Sequence, residues 1–343
     1  MITSSETLLQ RDELYREIEG NEPRDYNDVY ILEDGLRSCQ QCRRDNLTKC
    51  EEWRVFTRVA IIGLGLIGGS IGLALRKAKA ATEVVGYDLG KGVSVHAQKI
   101  GAIDQAYDAL ADVVRGAELV VLATPVGSMH ALLRDIAPLV LPDTVITDVA
   151  STKAQVISWA GELLTQGQFV GGHPMTGKEV SGVEAADATL FQGSVYCITP
   201  TEQTSTNALR KVVTLAEVLG AHVRFLQPEQ HDEQVAGVSH LPFLASIALV
   251  NTLAESETWG QASLLAASGY RDMSRLAAGN PEMYRDICLT NGSAIHTWLT
   301  RYIASLEQLK ERIQRQERDL SETFTSAQHT RLEWLAQHDI HES

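Results

Sequence analysis

The sequence predicts an α/β protein in which a doubly wound parallel sheet is followed by an all-helical domain. From Arg58 onward, short apolar segments typical of buried strands alternate with helical stretches, as in a parallel sheet with helices on both faces. A glycine turn follows the first of these segments directly. After residue 227 the strand signals stop and the pattern becomes helical. These observations predict a Rossmann-type sheet with a second, helical dimerisation domain.

Seven segments carry the strand signal, and each is a short run rich in apolar and β-branched residues. They are RVAIIG (58–63), EVVGYD (83–88), ELVVLATPV (118–126), TVITDV (144–149), QFVGGHP (168–174), SVYCITP (194–200) and HVRFL (222–226). Between the last two segments, one face of a helix that Gly220 can terminate is formed by Leu209, Val212, Val213, Ala216 and Leu219.

The segment Gly63-Leu64-Gly65-Leu66-Ile67-Gly68 is a G-x-G-x-x-G turn between a strand and an apolar helix. In this context the pattern is specific for dinucleotide binding. Gly63 permits the tight turn, Gly65 lets a pyrophosphate approach the backbone, and Gly68 allows close packing of the helix. The N–H groups of the first helical residues, Leu66 and Ile67, face the anion.

Asp88 ends the second strand, 25 residues after Gly63. A carboxylate at this point accepts hydrogen bonds from the adenosine ribose hydroxyls and repels a 2′-phosphate, so we expect NAD rather than NADP. Thr124 and Pro125 follow another strand on the same edge, where loops line the nucleotide crevice. We expect them to contact the nicotinamide side of the cofactor, although a plain turn explains them almost as well.

We expect four segments in the chain: a polar N-terminal extension (1–56), a dinucleotide-binding domain (57–227), a helical substrate and dimerisation domain (228–320) and a C-terminal tail (321–343), as a helix or an irregular segment. The run LPFLASIALVNTL (241–253) has no polar face, and a helix apolar all round must be buried in a bundle or against another subunit. We favour a homodimer.

Composition and charge exclude several classes of function. The formal net charge of −14 opposes binding to nucleic acid or to an anionic membrane surface, because both need a basic protein surface. The apolar stretches 59–75 and 241–250 are too short or too rich in glycine to span a bilayer. The first 20 residues lack the apolar core of a signal peptide, so we expect a cytoplasmic protein.

Three cysteines of the extension lie close together, at Cys39, Cys42 and Cys50. A zinc or iron–sulfur site needs a fourth ligand, and the nearest histidine is His96. We therefore expect free thiols and no metal site, and the role of this extension stays open.

Four further segments resemble the successive signature blocks of the prephenate and arogenate dehydrogenases. They are DVAST (148–152), GGHPMTGKEVSGVEAA (171–186), HDEQVAGVSHLP (231–242) and GYRDMSRLAAGNPEMYRDI (269–287). The resemblance runs from about Arg58 to Leu309, and both order and spacing fit. It implies an NAD-dependent enzyme that oxidises a ring hydroxyl of prephenate while a ring carboxylate leaves as CO2, giving 4-hydroxyphenylpyruvate for tyrosine biosynthesis.

The resemblance implies roles for two residues at the reacting centre. His173 matches the family's catalytic histidine, and a neutral imidazole can accept the hydroxyl proton as hydride leaves. Ser151 matches the serine that hydrogen-bonds the same hydroxyl and orients the imidazole. His231, by contrast, is expected to pack or to cap a helix.

The resemblance also implies the groups that hold the substrate. His240 matches a second active-site histidine, and Arg275 matches the arginine that clamps the side-chain carboxylate. Arg271, one helical turn away, could share or take that role. Glu179 matches a polar gating residue, and its neighbour Lys178 stands where relatives often carry Thr.

Three other functions remain as alternatives. NAD-dependent arogenate dehydrogenase is the nearest, since arogenate differs from prephenate only by an amino group in place of a keto oxygen. A β-hydroxy-acid dehydrogenase usually places a catalytic Lys on a helix of the second domain, and residues 226–295 contain no lysine. A non-catalytic NAD-sensing protein would need the glycine turn but not the set His173, Ser151 and Arg275.

Overall fold

The computed structural model describes residues 55–177 and 180–337. The chain separates into two compact units, Met1–Gly292 and Ser293–Ser343. The four segment boundaries expected from the sequence stay predictions. Residues that the sequence analysis singles out but that lie outside the described part of the chain are Cys39, Cys42, Cys50, Lys178 and Glu179.

Among the described residues, eight strands form one sheet in the order β3-β2-β1-β4-β5-β6-β7-β8. They are β1 (Phe56–Ile62), β2 (Ala81–Tyr87), β3 (Gln105–Ala106), β4 (Leu119–Leu122), β5 (Val145–Asp148), β6 (Gln168–Pro174), β7 (Val195–Thr199) and β8 (His222–Phe225). Each neighbouring pair is parallel except β6 and β7. The predicted fold class is confirmed.

Two details of the sheet differ from the sequence pattern. The strand β3 is only two residues long and gives no periodic signal. The strands β6 and β7 are antiparallel, with His173 opposite Cys197. A parallel pair needs a crossover, usually a helix. In the described part of the connection between β6 and β7 the only helical element is a 3₁₀ turn, Val183–Ala185, so the chain turns back directly.

Helices cover both faces of the sheet, and the elements that follow β8 are all helical. The α-helices of this unit are α1 (Leu66–Lys77), α2 (Lys91–Lys99), α3 (Leu110–Val114), α4 (Val126–Ile136), α5 (Ala154–Leu163), α6 (Thr206–Val218), α7 (Pro228–Val235), α8 (Leu241–Ala254), α9 (Trp259–Ala262), α10 (Ser268–Ser274) and α11 (Pro281–Thr290). A π turn, Ala236–His240, joins α7 to α8, and 3₁₀ turns lie at Ser263–Leu265 and Arg275–Ala278.

Alternate residues of the central strand β1 supply the cores on the two faces of the sheet. Ile61 packs in one buried cluster with Leu75 of α1, and its neighbour Ile62 packs in the other with Leu133 of α4. All four side chains are at most 1% exposed. Burial of each such side chain stabilises the fold by about 1.5–3 kcal/mol. The two clusters therefore hold α1 and α4 against opposite faces of the sheet.

The helix predicted before Gly220 is confirmed as α6. Its five predicted core residues are all buried, at 3% exposure or less. Ser205 caps the N-terminus by accepting a hydrogen bond from the Ala208 N–H at 3.2 Å. Gly220 has φ +78°, the left-handed conformation that ends many helices.

The continuous helix Pro228–Ala254 is, by length and composition, apolar enough to cross a membrane, since a stretch of 18 of its residues has a mean hydropathy of 1.4. Its first half, however, buries His231, Asp232 and His240, which hydrogen-bond to protein groups. In its second half only Phe243 and Ser246 are buried. The helix is therefore anchored in the protein by polar contacts and exposes further apolar surface within one chain.

The second unit contains two helices, α12 (Gly292–Gln314) and α13 (Leu320–Gln337). Arg312 near the end of α12 holds the connection to α13, because its guanidinium contacts Glu317 at 2.8 Å and Asp319 at 3.0 Å. Most of the segment expected to be a tail is thus helical.

Candidate active site

The glycine turn between β1 and α1 has the conformation that its sequence pattern predicts. Gly63 has φ +93°, in the left-handed region that favours glycine. A Cβ on Gly68 would overlap the Gly63 carbonyl oxygen, whereas a Cβ on Gly65 would meet nothing within 4 Å. The helix α1 begins at Leu66 without a side-chain cap. The first N–H groups of such a helix can bind an anion, and the open backbone at Gly65 lets it approach.

Asp88 follows β2 and holds the glycine turn from the side. Its Oδ2 accepts a hydrogen bond from the Leu64 N–H, and its Oδ1 accepts one from the Gly90 N–H, both at 2.8 Å. Since a carboxylate offers about four acceptor positions, further hydrogen bonds can form at the same group. The role of Asp88 at a ribose stays a prediction.

Thr124 and Pro125 lie between β4 and α4, beside the glycine turn. A Cβ on Gly63 would come within 2.9 Å of the Thr124 methyl carbon. The Thr124 hydroxyl oxygen is buried and has no hydrogen-bond partner among the described residues. A buried hydroxyl without a partner costs about 1–3 kcal/mol, and a ligand in this crevice would offset that cost. The turn, Asp88 and Thr124 therefore fit a bound dinucleotide.

His173 lies at the carboxyl end of β6, on the same edge of the sheet as the glycine turn, because β1, β4, β5 and β6 run in parallel. Its side chain is 8% exposed. The Nδ1 atom of His173 is 2.9 Å from Nε2 of His231, and Nδ1 of His231 is 2.8 Å from Oδ1 of Asp232. The structure thus brings His173 into a buried row of hydrogen-bonded groups.

A buried ion pair fixes the backbone in front of His173. Lys153 and Asp148 are both fully buried and contact each other, and the Lys153 ammonium donates to the Gly172 carbonyl at 2.8 Å. The Gly172 N–H in turn donates to Asp148 Oδ1 at 3.1 Å. A Cβ on Gly172 would come within 2.7 Å of the Asp148 carbonyl, so only glycine permits this approach. Both polar groups of the Gly172 backbone are therefore held, which positions His173.

His240 ends the π turn, where Pro242 cannot supply the N–H that a regular helix requires. Asn291 donates to the Asp232 carbonyl at 2.8 Å, and the same amide nitrogen is 3.3 Å from His240 Nδ1. His240 Nδ1 is then the acceptor, and Nε2 carries the proton. This Nε2 atom is buried without a hydrogen-bond partner among the described residues. It is available to donate to a ligand.

Burial lowers the pKa of all three histidines below the ordinary value of 6.5. For His173 the fall in pKa is large, and the nearby His231, Lys153 and His240 add to the effect of burial. For His231 burial lowers the pKa, and this effect outweighs the hydrogen bond that His231 donates to Asp232, which raises the pKa. The pKa of His240 falls to about 4. At neutral pH the imidazoles are uncharged, so His173 can accept a proton.

Ser151 lies in the loop after β5 and is half-buried. Among the described residues, no hydrogen bond joins its hydroxyl to His173, so its predicted role stays a prediction. The same loop is tied to α11 by the hydroxyls of Thr152 and Thr290, which are 2.9 Å apart.

Both predicted arginines lie on the exposed segment around α10. Arg271 pairs with its neighbour Asp272 at 3.4 Å. Arg275 begins the 3₁₀ turn and lies near the Tyr284 phenol, where its positive charge opposes the rise in pKa that burial causes. The turn is anchored because the Tyr284 hydroxyl donates to the Leu276 carbonyl at 2.8 Å. The choice between the two arginines stays open.

Four residues of this cluster were not predicted from the sequence: Asp148, Lys153, Asp232 and Asn291. His231 was expected to pack or to cap a helix, and the structure gives it hydrogen bonds to His173 and Asp232. The sequence does contain one signal for this role. The adjacent pair His231-Asp232 lies near the start of an apolar helix, and polar side chains that are buried there need hydrogen-bond partners. No local signal could show that the partner is His173.

The fold and the glycine turn define a dinucleotide-binding protein, and a buried imidazole on the same edge of the sheet is typical of a dehydrogenase. The sequence model described as "Prephenate dehydrogenase, nucleotide-binding domain" matches residues 71–225, and "Prephenate dehydrogenase, dimerization domain" matches residues 227–326. The chain belongs to the prephenate dehydrogenase family, and the resemblance seen in the sequence is confirmed.

Similar proteins cover most of the chain. The prephenate dehydrogenase of Bacillus subtilis is 35% identical over 262 residues, which are 76% of this chain and 71% of that protein. The cyclohexadienyl dehydrogenase of Zymomonas mobilis is 33% identical over 289 residues, 83% of this chain and 99% of that protein.

Two solved structures are similar over the same region. The prephenate dehydrogenase from A. aeolicus, in complex with hydroxyphenyl propionate and NAD+, is 31% identical with a TM-score of 0.76, over 81% of this chain and 98% of that one. Synechocystis arogenate dehydrogenase is 30% identical with a TM-score of 0.71, over 81% and 100% of the two chains.

Proposed function

We propose that the chain is an NAD-dependent prephenate dehydrogenase that converts prephenate to 4-hydroxyphenylpyruvate and CO2 in tyrosine biosynthesis. The observation that carries the proposal is His173, a buried and neutral imidazole on the same sheet edge as the dinucleotide turn. The similarity to the prephenate dehydrogenases of B. subtilis and A. aeolicus supports the choice of substrate.

His173 acts as the general base. NAD held by the glycine turn and Asp88 would supply the acceptor for the hydride of the ring carbon that bears the hydroxyl. His173 takes the hydroxyl proton as the carbon–oxygen double bond forms. The bond between the ring and its carboxylate then breaks, CO2 leaves, and the released electron pair makes the ring aromatic. His173 returns its proton to the ring oxygen, so the reaction releases no net proton.

Other side chains hold the substrate. Ser151 hydrogen-bonds the reacting hydroxyl, and the free Nε2–H of His240 donates to a substrate oxygen. Arg275 clamps the side-chain carboxylate through a bidentate, charge-assisted pair, with Arg271 as the second candidate. Because the chain has a net charge of −14, it repels an anionic substrate, and a local cation is needed to bind it.

The cofactor is NAD rather than NADP. The Asp88 carboxylate lies beside the glycine turn, to which it is hydrogen-bonded through the Leu64 N–H. A 2′-phosphate at the adenosine ribose would face this negative charge, whereas ribose hydroxyls can donate to it. Thr124 and Pro125 contact the nicotinamide side.

The working protein is a cytoplasmic homodimer that forms through its helical region. In one chain, α8 buries only Phe243 and Ser246, although almost all of its residues are apolar. A second copy that covers this face would remove the apolar surface from water. The match of residues 227–326 to a dimerization domain supports this assembly.

The proposal is tested by steady-state assays of the purified chain with NAD and either prephenate or arogenate. We expect NADH, CO2 and 4-hydroxyphenylpyruvate in equal amounts from prephenate, with kcat/KM at least roughly 10-fold above that for arogenate, a difference of about 1.4 kcal/mol. A higher kcat/KM for arogenate would make arogenate dehydrogenase the function. No NADH with either substrate would overturn the proposal.

A further inference from the structure

We propose that His231, held by Asp232, is a positioning residue that keeps the proton of His173 on Nδ1 and so leaves Nε2 as the proton acceptor. The assignment of the tautomer rests on the hydrogen-bond geometry and on a neutral His231, whose side chain is fully buried. The use of Nε2 in catalysis rests on the function proposed above.

Asp232 determines which atom is the donor in each hydrogen bond of the row. Its Oδ1 accepts a hydrogen bond from the Lys153 N–H at 2.7 Å, and its Oδ2 accepts one from the Ala154 N–H at 3.0 Å. Both carboxylate oxygens are thus acceptors. His231 Nδ1, 2.8 Å from Oδ1, must therefore be the donor of the bond between them.

The proton on Nδ1 of His231 decides the state of His173. A neutral imidazole with a proton on Nδ1 has its lone pair on Nε2. His231 is neutral because burial lowers its pKa. Its Nε2 therefore accepts the hydrogen bond from His173 Nδ1 at 2.9 Å. The proton of neutral His173 then lies on Nδ1, and its Nε2 has the free lone pair.

The row of groups joins three elements: His173 lies on β6, His231 and Asp232 lie on α7, and Asp232 is bonded to the start of α5. Asp232 lies on α7 and receives the N–H groups at the start of α5, where a negative charge also interacts favourably with the helix dipole. The Asp232 carbonyl accepts from Asn291 at 2.8 Å. His231 is 0% exposed and Asp232 is 4% exposed, so water cannot take the place of either partner.

The same row can assist the reaction once His173 has accepted a proton. His173 then carries a positive charge, and the Asp232 carboxylate is the acidic group linked to it through one imidazole. The buried Asp148 carboxylate is already paired with Lys153. Stabilisation of this charge by Asp232 lowers the barrier to proton transfer without any contact to the substrate.

The first test reads the tautomer in the resting protein, with no substrate. In protein with ¹⁵N-labelled histidine, the His173 signals are identified as those that disappear in His173→Asn. We expect Nδ1 of His173 to be protonated and Nε2 unprotonated. In His231→Leu, which removes the acceptor, the Nε2-protonated form should appear. A wild-type His173 protonated on Nε2 would overturn the proposal, even if the chain oxidises prephenate.

The second test separates positioning from packing by comparing two substitutions. In His231→Gln the amide oxygen can still accept from His173 Nδ1, so kcat should stay close to that of the wild type. In His231→Leu kcat should fall by roughly 10- to 100-fold, the order of effect seen when a partner that orients a metal-bound histidine is removed. KM for NAD should not change in either variant, and the exposed His222→Leu is the matched control.

Thermal unfolding of each variant shows whether it folds. Equal losses of kcat in folded His231→Gln and His231→Leu would mean that His231 only packs, which would overturn the proposal. A wild type without any activity on prephenate would instead overturn the proposed function, and the tautomer measurement would still decide the assignment for His173.

Discussion

Replacing His240 with Leu should make the folded state less sensitive to acid. The pKa of His240 in the folded chain is about 4 because the side chain is buried, whereas an exposed histidine has a pKa near 6.5. Between these two values the unfolded chain binds the proton more readily than the folded chain. The contribution of a neutral His240 to the free energy of unfolding is therefore fully present above about pH 6.5 and is lost as the pH falls toward 4.

The size of the effect follows from the same pair of pKa values. Between pH 7 and pH 5, protonation of this one group in the unfolded chain lowers the free energy of unfolding by about 2 kcal/mol. His173 and His231 add losses of the same sign, since burial lowers their pKa values too. Leucine cannot be protonated, so the free energy of unfolding of His240→Leu should fall by about 2 kcal/mol less than that of the wild type over this range.

The assay is urea unfolding at pH 7 and at pH 5, at one protein concentration and without ligands, because binding and assembly change the apparent stability. The exposed His222→Leu serves as the matched control and should behave as the wild type does. If His240→Leu and the wild type lose the same free energy of unfolding between the two pH values, His240 is not the buried neutral group described above.

Three further predictions concern binding. Asp88→Ser with Leu89→Arg should shift the ratio of kcat/KM values toward NADP, since Leu89 is 88% exposed and can be replaced freely; equal use of both cofactors by the wild type would refute the role of Asp88. Arg275→Ala should raise KM for prephenate by roughly 10- to 150-fold, because a bidentate pair contributes about 1.5–3 kcal/mol. Arg271→Ala should do much less, and the reverse order would make Arg271 the anchor. Gly68→Ala should weaken NAD binding by roughly 10-fold or more in calorimetry, because its Cβ overlaps the Gly63 carbonyl oxygen; unchanged affinity would mean that the turn does not bind the cofactor.

Local patterns in the sequence were sufficient to predict the fold class and the dinucleotide turn. The strand β1 is buried on both faces, and its continuous apolar run shows this directly. Gly63 adopts a positive φ, which few other residues tolerate. The helix α6 has its apolar residues at helical spacing and ends before Gly220. In each case the signal and the structure lie within about 15 residues of one another.

The cluster around His173 could not be predicted in the same way. His173 and His231 are 58 residues apart and belong to different elements, and they meet only when α7 packs beside β7. The antiparallel pairing of β6 and β7 likewise depends on a connection without an α-helix in its described part. Sequence spacing does not encode such contacts, so the resemblance could suggest the function of His173 but not the tautomer that its neighbours impose.

The most direct test of the account is the turnover of His173→Asn with prephenate and NAD, beside His222→Asn as the control at an exposed position. A general base contributes roughly 100- to 10,000-fold to the rate. The account predicts a fall of kcat in that range for His173→Asn, with KM for prephenate nearly unchanged and His222→Asn as active as the wild type. Near-normal kcat in a folded His173→Asn protein would remove His173 from the reaction and contradict the account.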